Sequence, residues 1–292
     1  MNEQQSWTVL RLLQWTTDYL ERFGSQSSRL DAEVLLAKAM DCQRIELYTS
    51  YDQVASDEVR DVFRSLVKRR ADGMPVAYLV SEKEFYSRSF AVTPDVLVPR
   101  PETEFVVIEL LDLVSNQRRD AVVRILDIGT GSGIIAICAA AELPKAMVTA
   151  VDISPAALDV AIRNAVQHSV DDRVAFLQSD LFDAVPSDPP FDFIVSNPPY
   201  VSQTEFEQLD RTIKDHEPTA ALIAGALGTE VIARIIVEST DRLAAGGWLI
   251  LEVSPMISGA VVDLLADSGH FGETSVRVDL AQLPRVVKAQ RK

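Results

Sequence analysis

Along the first ~80 residues apolar positions recur at a spacing near 3.6, which predicts helices. Trp7, Leu10, Leu13 and Tyr19 share one face of a run that Gly24 ends. Leu30, Val34, Leu35 and Ala39 do the same within Ser28–Met40. Val59, Val62, Phe63, Leu66 and Val67 do so within Asp57–Arg70, which Ala71-Asp72-Gly73 closes. Such stripes either pack a core or meet a partner, and core packing is the stronger expectation. From Glu84 to Val98 the pattern shortens to β-like pieces, Phe85-Tyr86, Phe90-Ala91-Val92 and Val96-Leu97-Val98, broken by Pro94. Pro99-Arg100-Pro101 follows as a stiff, non-helical joint. The expected organisation is a helical domain over 1–84, a β-hairpin linker over 85–101 and a second domain over 102–292.

Within that second domain strand and helix alternate. Glu102–Val114 reads as helix, Val122–Ile128 as a buried strand, Ile134–Ala141 as helix and Ala146–Val151 as strand. Ser154 is an N-cap and Pro155 the first helical position of a helix to about His168. Val174–Gln178, Phe191–Val195 and Trp248–Val253 read as strands, with a helix from about Glu230 to Leu243 before the last. Strands apolar on both faces, separated by helices, predict an α/β fold with a parallel sheet covered on both sides. Ser275–Val278 and Arg285–Lys288 can add two more strands as a hairpin.

Composition narrows the classes. The 292 residues carry a net charge of −15, so broad electrostatic binding to nucleic acid is not expected. No apolar stretch approaches the ~18 residues of a membrane span, and the amino-terminal MNEQQSWTVL lacks the basic and apolar regions of a signal peptide. Two cysteines, Cys42 and Cys138, make no disulfide framework and suit a reducing, cytoplasmic setting. The three histidines (His168, His216, His270) stand at no metal-ligand spacing, so no metal site is expected.

Candidate chemistry begins at Asp127-Ile128-Gly129-Thr130-Gly131-Ser132-Gly133, between a buried strand and a helix. Glycines there permit a tight turn and close approach of a ligand. The dinucleotide fingerprint requires glycine where Ile134 stands, which weakens a pyrophosphate reading. Asp152 ends the next strand, 23 residues after Gly129, where a carboxylate can accept both hydroxyls of a ribose. This order favours a nucleoside ligand over a packing turn with a solvated acid. Asp180 ends the third strand, and Leu181 offers an apolar face for a base, or equally a core leucine.

Asn197-Pro198-Pro199-Tyr200 stands at the carboxyl end of a strand, the edge where open α/β sheets bind ligands. Each proline forces the residue before it out of the helical region, so Asn197 and Pro198 are extended. A backbone carbonyl and the Asn197 side-chain carbonyl then suit the two N–H bonds of an –NH₂ group on a planar system. Tyr200 supplies a flat face for stacking. An Asn-Pro turn starter is the plainer reading.

With these residues the chain resembles the HemK/PrmC protein-(glutamine-N5) methyltransferases of peptide chain release factors. The likeness extends over Arg29-Leu30-Asp31-Ala32-Glu33-Val34-Leu35-Leu36, Arg69-Arg70-Ala71-Asp72-Gly73-Met74-Pro75-Val76-Ala77-Tyr78-Leu79, Val98-Pro99-Arg100-Pro101-Glu102-Thr103-Glu104, the glycine turn, Asn-Pro-Pro-Tyr, and Glu217-Pro218 with Ala221-Leu222. It implies a class I, Rossmann-like methyltransferase sheet using S-adenosylmethionine. It further implies that Gly129, Thr130, Gly131, Ser132, Gly133, Asp152 and Leu181 line the cofactor pocket. Asn197 would touch cofactor and substrate amide, and Pro198, Pro199 and Tyr200 the substrate, with Asn197, Pro198 and Tyr200 as catalytic candidates. The implied target is the glutamine of the Gly-Gly-Gln tip of a release factor. A cytoplasmic monomer with no direct nucleic-acid or membrane contact is expected. Leu181 stands where relatives often carry tryptophan, Ser254 and Ile257 where Gly and Gln are usual, and Gln282 and Pro284 where Gly and Asp are customary. Three rivals stay open: a ribosomal-protein glutamine methyltransferase, a DNA adenine methyltransferase that flips its base, and a non-catalytic nucleoside-binding module.

Overall fold

The computed structural model describes residues 6–117 and 121–292. The first five residues, part of the stretch read for a signal peptide and of the expected helical domain, lie outside the described residues. The chain divides into two compact units. One runs to Glu82 and includes Asp210–His216, and the other comprises Lys83–Leu209 and Glu217–Lys292. Segment 210–216 therefore clusters with the helical unit although it falls inside the range 102–292.

The first unit holds α1 (Val9–Arg22), α2 (Ser28–Met40), α3 (Arg44–Thr49), α4 (Asp57–Ala71) and α5 (Val76–Val80). Thr8 and Ser56 cap α1 and α4, each accepting from a backbone N–H three residues on. Leu13, Leu20, Leu35, Leu36 and Leu47 are wholly buried and, with Phe63, form its core. The α2 stripe differs from expectation: Leu30 is exposed, and Ala32, Leu35 and Leu36 face inward together with Asp31 and Glu33. Both carboxylates are paired, as buried charges must be. Arg70 Nε donates to Asp31 Oδ2 at 2.7 Å, and Arg29 Nε and Tyr48 Oη donate to Glu33 at 2.7 and 2.9 Å. The Arg29–Leu36 and Arg69–Leu79 motifs are thus joined by the Arg70–Asp31 ion pair.

The second unit contains β1 (Glu82–Phe85), β2 (Arg88–Ala91), α6 (Glu104–Gln117), β3 (Val123–Ile128), α7 (Ile134–Glu142), β4 (Ala146–Asp152), α8 (Pro155–Gln167), β5 (Val174–Gln178), β6 (Phe191–Ser196), β7 (Val201–Ser202) and α9 (Gln203–Gln208). After α10 (Arg211–Lys214), which belongs to the first unit, come β8 (Ile223–Gly225), α11 (Glu230–Ser239), β9 (Leu243–Glu252), α12 (Ser258–Asp267), β10 (Phe271–Val278) and β11 (Pro284–Arg291). Seven strands form one sheet in the order β10-β11-β9-β6-β3-β4-β5, parallel except for β11, which runs antiparallel to both neighbours. The chain reverses its direction of progress across the sheet between β3 and β6, so their carboxyl ends flank a crevice open to ligands.

Alternate residues of β3 feed two cores. Ile125 joins Phe193, Val195 and Ile250 on one side, and Leu126 and Ile128 join Ile194, Leu249 and Leu251 on the other. All nine are buried, which is why these strands read as continuous apolar runs. Ser154 caps α8 as expected, its hydroxyl accepting from Ala157 N at 3.2 Å. Asn164, wholly buried on α8, accepts from Ala91 N (2.8 Å) and donates to Ala91 O (3.0 Å) and Ser132 O (2.8 Å). That one amide ties the β1–β2 hairpin and the glycine loop to the same helix.

Two further expectations are corrected. Val96-Leu97-Val98 is not a strand. The helix read as reaching Leu243 ends at Ser239, and β9 starts at Leu243. α12 was unanticipated.

Candidate active site

The glycine turn is shaped by backbone signs and a buried acid. Gly129 and Gly131 have φ of 70° and 55°, where side chains are strained, and a Cβ on Gly131 would project into open space. Gly133 departs from expectation. A Cβ there would lie 2.8 Å from Ile137 Cδ1 and 3.2 Å from Ala161 Cβ. Gly133 therefore lets α7 and α8 approach closely and does not face a ligand. Asp127 Oδ2 accepts from Thr130 Oγ1 (2.7 Å) and Ala136 N (3.2 Å), pinning the turn to the start of α7, and complete burial pushes its carboxyl up to about 7.

Asp152, at the end of β4, accepts from Gly131 N through Oδ2 and from Ser154 N through Oδ1, both at 2.9 Å. Burial raises its pKa against these backbone donors. Beside it lies a cavity of about 470 Å³ lined by Gly129, Thr130, Gly131, Ser132, Asp152, Leu181, Asn197 and Pro199. Leu181 is held at φ 48°, rare for a bulky residue, and its side chain forms an apolar wall of the cavity. At the rim Arg234 Nη1 donates to Asp180 Oδ1 at 3.1 Å.

Asn197 follows β6 directly, and its Nδ2 donates to Thr103 Oγ1 at 3.1 Å. The side-chain nitrogen is thereby occupied and Oδ1 is the end left for a ligand. Thr103 is wholly buried, and so is the carboxylate of Glu252, which is 1% exposed. Tyr200 Oη donates to the same carboxylate at 3.3 Å. The Tyr200 ring packs against the second core, and neither Tyr200 nor Pro198 lines the cavity. Tyr200 as an open stacking face is thus not what the structure presents. Thr103, Glu252 and Arg234 had no role assigned from sequence. Thr103 and Glu252 meet Asn197 and Tyr200 only through folding, so spacing carries no signal for them. A second clamp explains two quoted motifs. Arg100 Nη2 donates to Glu217 Oε1 at 2.6 Å, and Val98 N donates to its Oε2 at 3.3 Å.

Two family models match, the PrmC N-terminal domain over residues 11–80 and the methyltransferase small domain over 109–216. A release factor glutamine methyltransferase of Rhodopirellula baltica is 52% identical over 98% of this chain and 97% of its own length. The chain belongs to the release factor glutamine methyltransferase family. A second member, from Koribacter versatilis, is 38% identical over 94% of this chain and 95% of its own. Solved structures share the fold. The hMettl16 catalytic domain, in complex with the MAT2A 3′UTR hairpin 6, aligns with a TM-score of 0.57 at 16% identity, covering 77% of this chain and 81% of that one. A SAM-dependent methyltransferase from Agrobacterium tumefaciens aligns at 0.50 and 16% identity over 72% and 69%. The α/β fold is therefore a class I methyltransferase fold with a helical amino-terminal domain of the family's type.

S-adenosylmethionine, the methyl donor of this family, fits the cavity. Bare glycine backbone borders it where a Cβ would intrude. A carboxylate stands at the end of β4 for ribose hydroxyls, Leu181 offers an apolar wall, and the volume suits a ligand of that size. Among the described residues no cluster of three His, Cys, Asp or Glu could hold a metal ion, and no helix is long and apolar enough to cross a membrane.

Proposed function

We propose that this chain methylates the side-chain amide nitrogen of the glutamine in the Gly-Gly-Gln motif of peptide chain release factors. Full-length membership of the family supports the reaction. The observation that carries the chemistry is the bond from Asn197 Nδ2 to Thr103, which turns Oδ1 into an acceptor at the cavity wall.

The glutamine amide nitrogen is a poor nucleophile because its lone pair is delocalised into the carbonyl. Asn197 Oδ1 and the Pro198 carbonyl accept its two N–H bonds and turn the nitrogen lone pair toward the side from which a sulfonium methyl would be supplied. Orientation of this kind contributes several kcal/mol without a dedicated base. The same two acceptors favour positive charge developing on nitrogen. S-adenosylmethionine, when bound, supplies an electrophilic sulfonium methyl. Gly129 and Gly131 would admit it closely, Asp152 would hold its ribose hydroxyls and Leu181 would offer its adenine an apolar wall. The proton leaves the nitrogen after transfer.

The helical unit is the second contact for a partner of protein size in the cytoplasm, since a small-molecule enzyme has little use for one. Tritium transfer from labelled cofactor tests the reading. Label on a release factor supports it, whereas label on a ribosomal protein or on DNA, with the release factor unmodified, overturns it.

A further inference from the structure

We propose that the groove between α1 and α4 of the helical unit is a carboxylate-binding site, which holds an acidic, amphipathic segment of the release factor outside its Gly-Gly-Gln tip. The inference rests on the release-factor reading and names the surface and chemistry of the second contact. A cavity of about 360 Å³ lies there, walled by Trp7, Trp15, Tyr19 and Phe63. Two polar atoms of residues that line it, Thr16 Oγ1 and Arg60 Nε, are buried and have no hydrogen-bond partner among the described residues. Thr16 is wholly buried. An orphaned buried polar group destabilises a fold, so two at one cavity point to a ligand that completes them. Arg60 Nε can only donate, and a threonine hydroxyl can donate as well. The group that satisfies both is an acceptor, and a carboxylate offers one oxygen to each. Arg60 Nη2 meanwhile pairs with Asp57, which anchors the guanidinium and leaves Nε open.

The surroundings define what carries that carboxylate. Trp15 stacks on Tyr19 with centroids 5.0 Å apart and planes 11° apart, and Tyr19 leans on Phe23 at 4.7 Å. Trp15 and Phe23 are 50% and 58% exposed, so this row, spaced by four along α1, leaves apolar surface in water. On α4 Arg60, Arg64 and Lys68 repeat at the same spacing and line the same cavity. In a chain of net charge −15 this basic row selects an acidic partner by charge complementarity. An aromatic row beside a basic one suits a helix with acidic and apolar residues at helical spacing. A nucleic-acid strand fits less well. One face of Trp15 and one of Tyr19 are taken by each other, and Asp57 and Asp61 on α4 repel a polyanion.

The test uses the full chain, a full-length release factor and labelled S-adenosylmethionine. Thr16→Val keeps the shape of the side chain and removes the orphaned hydroxyl. It should raise the melting temperature, because an unpaired buried group is gone, and yet raise KM for the release factor at least 5-fold. Thr16→Ser should keep KM within 2-fold of the parent. Arg60→Met and the reversal Lys68→Glu should each raise KM more than 10-fold. In every variant kcat, and affinity for S-adenosylmethionine by calorimetry, should stay within 2-fold of the parent. A parental KM in folded Thr16→Val and Arg60→Met, or a loss confined to kcat, overturns the proposal. Inhibition of methylation by a uridine oligonucleotide that Arg60→Met abolishes assigns the groove to nucleic acid and also overturns it. If the parent protein methylates no release factor, the functional reading fails and this inference with it. If it methylates and the variants keep its KM, only the groove assignment fails.

Discussion

Replacing Asp152 by alanine separates the cofactor site from the fold that carries it. The carboxylate accepts one backbone N–H on each oxygen, from Gly131 and Ser154 at 2.9 Å, and borders the cavity. The two N–H groups left behind lie at the cavity edge where water can reach them, so each loss is worth about 0.5–1.5 kcal/mol and folding stability should drop by about 1–3 kcal/mol. Binding loses the acceptor for the ribose hydroxyls, and a further 1–3 kcal/mol is expected there, roughly a 5- to 150-fold rise in Kd. Isothermal titration of S-adenosylmethionine into the parent and variant reads the second quantity, and a denaturant melt reads the first. NAD should bind neither protein. Unchanged affinity in a folded Asp152→Ala would refute the ribose assignment, whatever happens to turnover.

Asn164→Ala leaves Ala91 N, Ala91 O and Ser132 O without their buried partner; a loss of about 3 kcal/mol or more is expected, and a denaturant midpoint implying less than 1 kcal/mol contradicts it. Asp127 is raised from 3.8 to about 7 by burial, so folding favours its protonated form. Its contribution is complete below about pH 4 and is lost as pH rises through 7. Melts from pH 4 to 8 should show that decline, and Asp127→Asn should lack that share of it. Gln282 sits exposed at φ 63°, so Gln282→Gly should stabilise by roughly 0.5–1 kcal/mol; a lower melting temperature counts against the strain.

How far the sequence disclosed this molecule depends on whether a feature is local. Strands β3 and β6 are buried on both faces, so their apolar runs were legible, as was the Ser154-Pro155 start of α8. The glycine turn and Asp152 were legible because the strand-turn-helix-strand order puts them at one sheet edge. Helix α12 was not, because it spans only 10 residues and carries Gly259 in its first turn, although Val261, Val262, Leu264 and Leu265 keep helical spacing. Nor was the exposure of Leu30, since ion pairs to Arg70 and Arg29 hold Asp31 and Glu33 inward and override apolar spacing. Thr103, Glu252, Asn164 and the Arg100–Glu217 clamp are pairings across 52 to 117 residues. No periodicity carries such information. Gly133 and Tyr200 stand within their motifs without lining the cavity, because a motif gives neighbours without giving direction.

Mass spectrometry of a full-length release factor after incubation with this chain and S-adenosylmethionine tests the central claim most directly. One added methyl group is expected on the peptide that carries Gly-Gly-Gln, located on the glutamine side chain by fragmentation, and none with Asn197→Ala. An unmodified glutamine under conditions where the cofactor binds, or an equal yield from Asn197→Ala, would contradict the account.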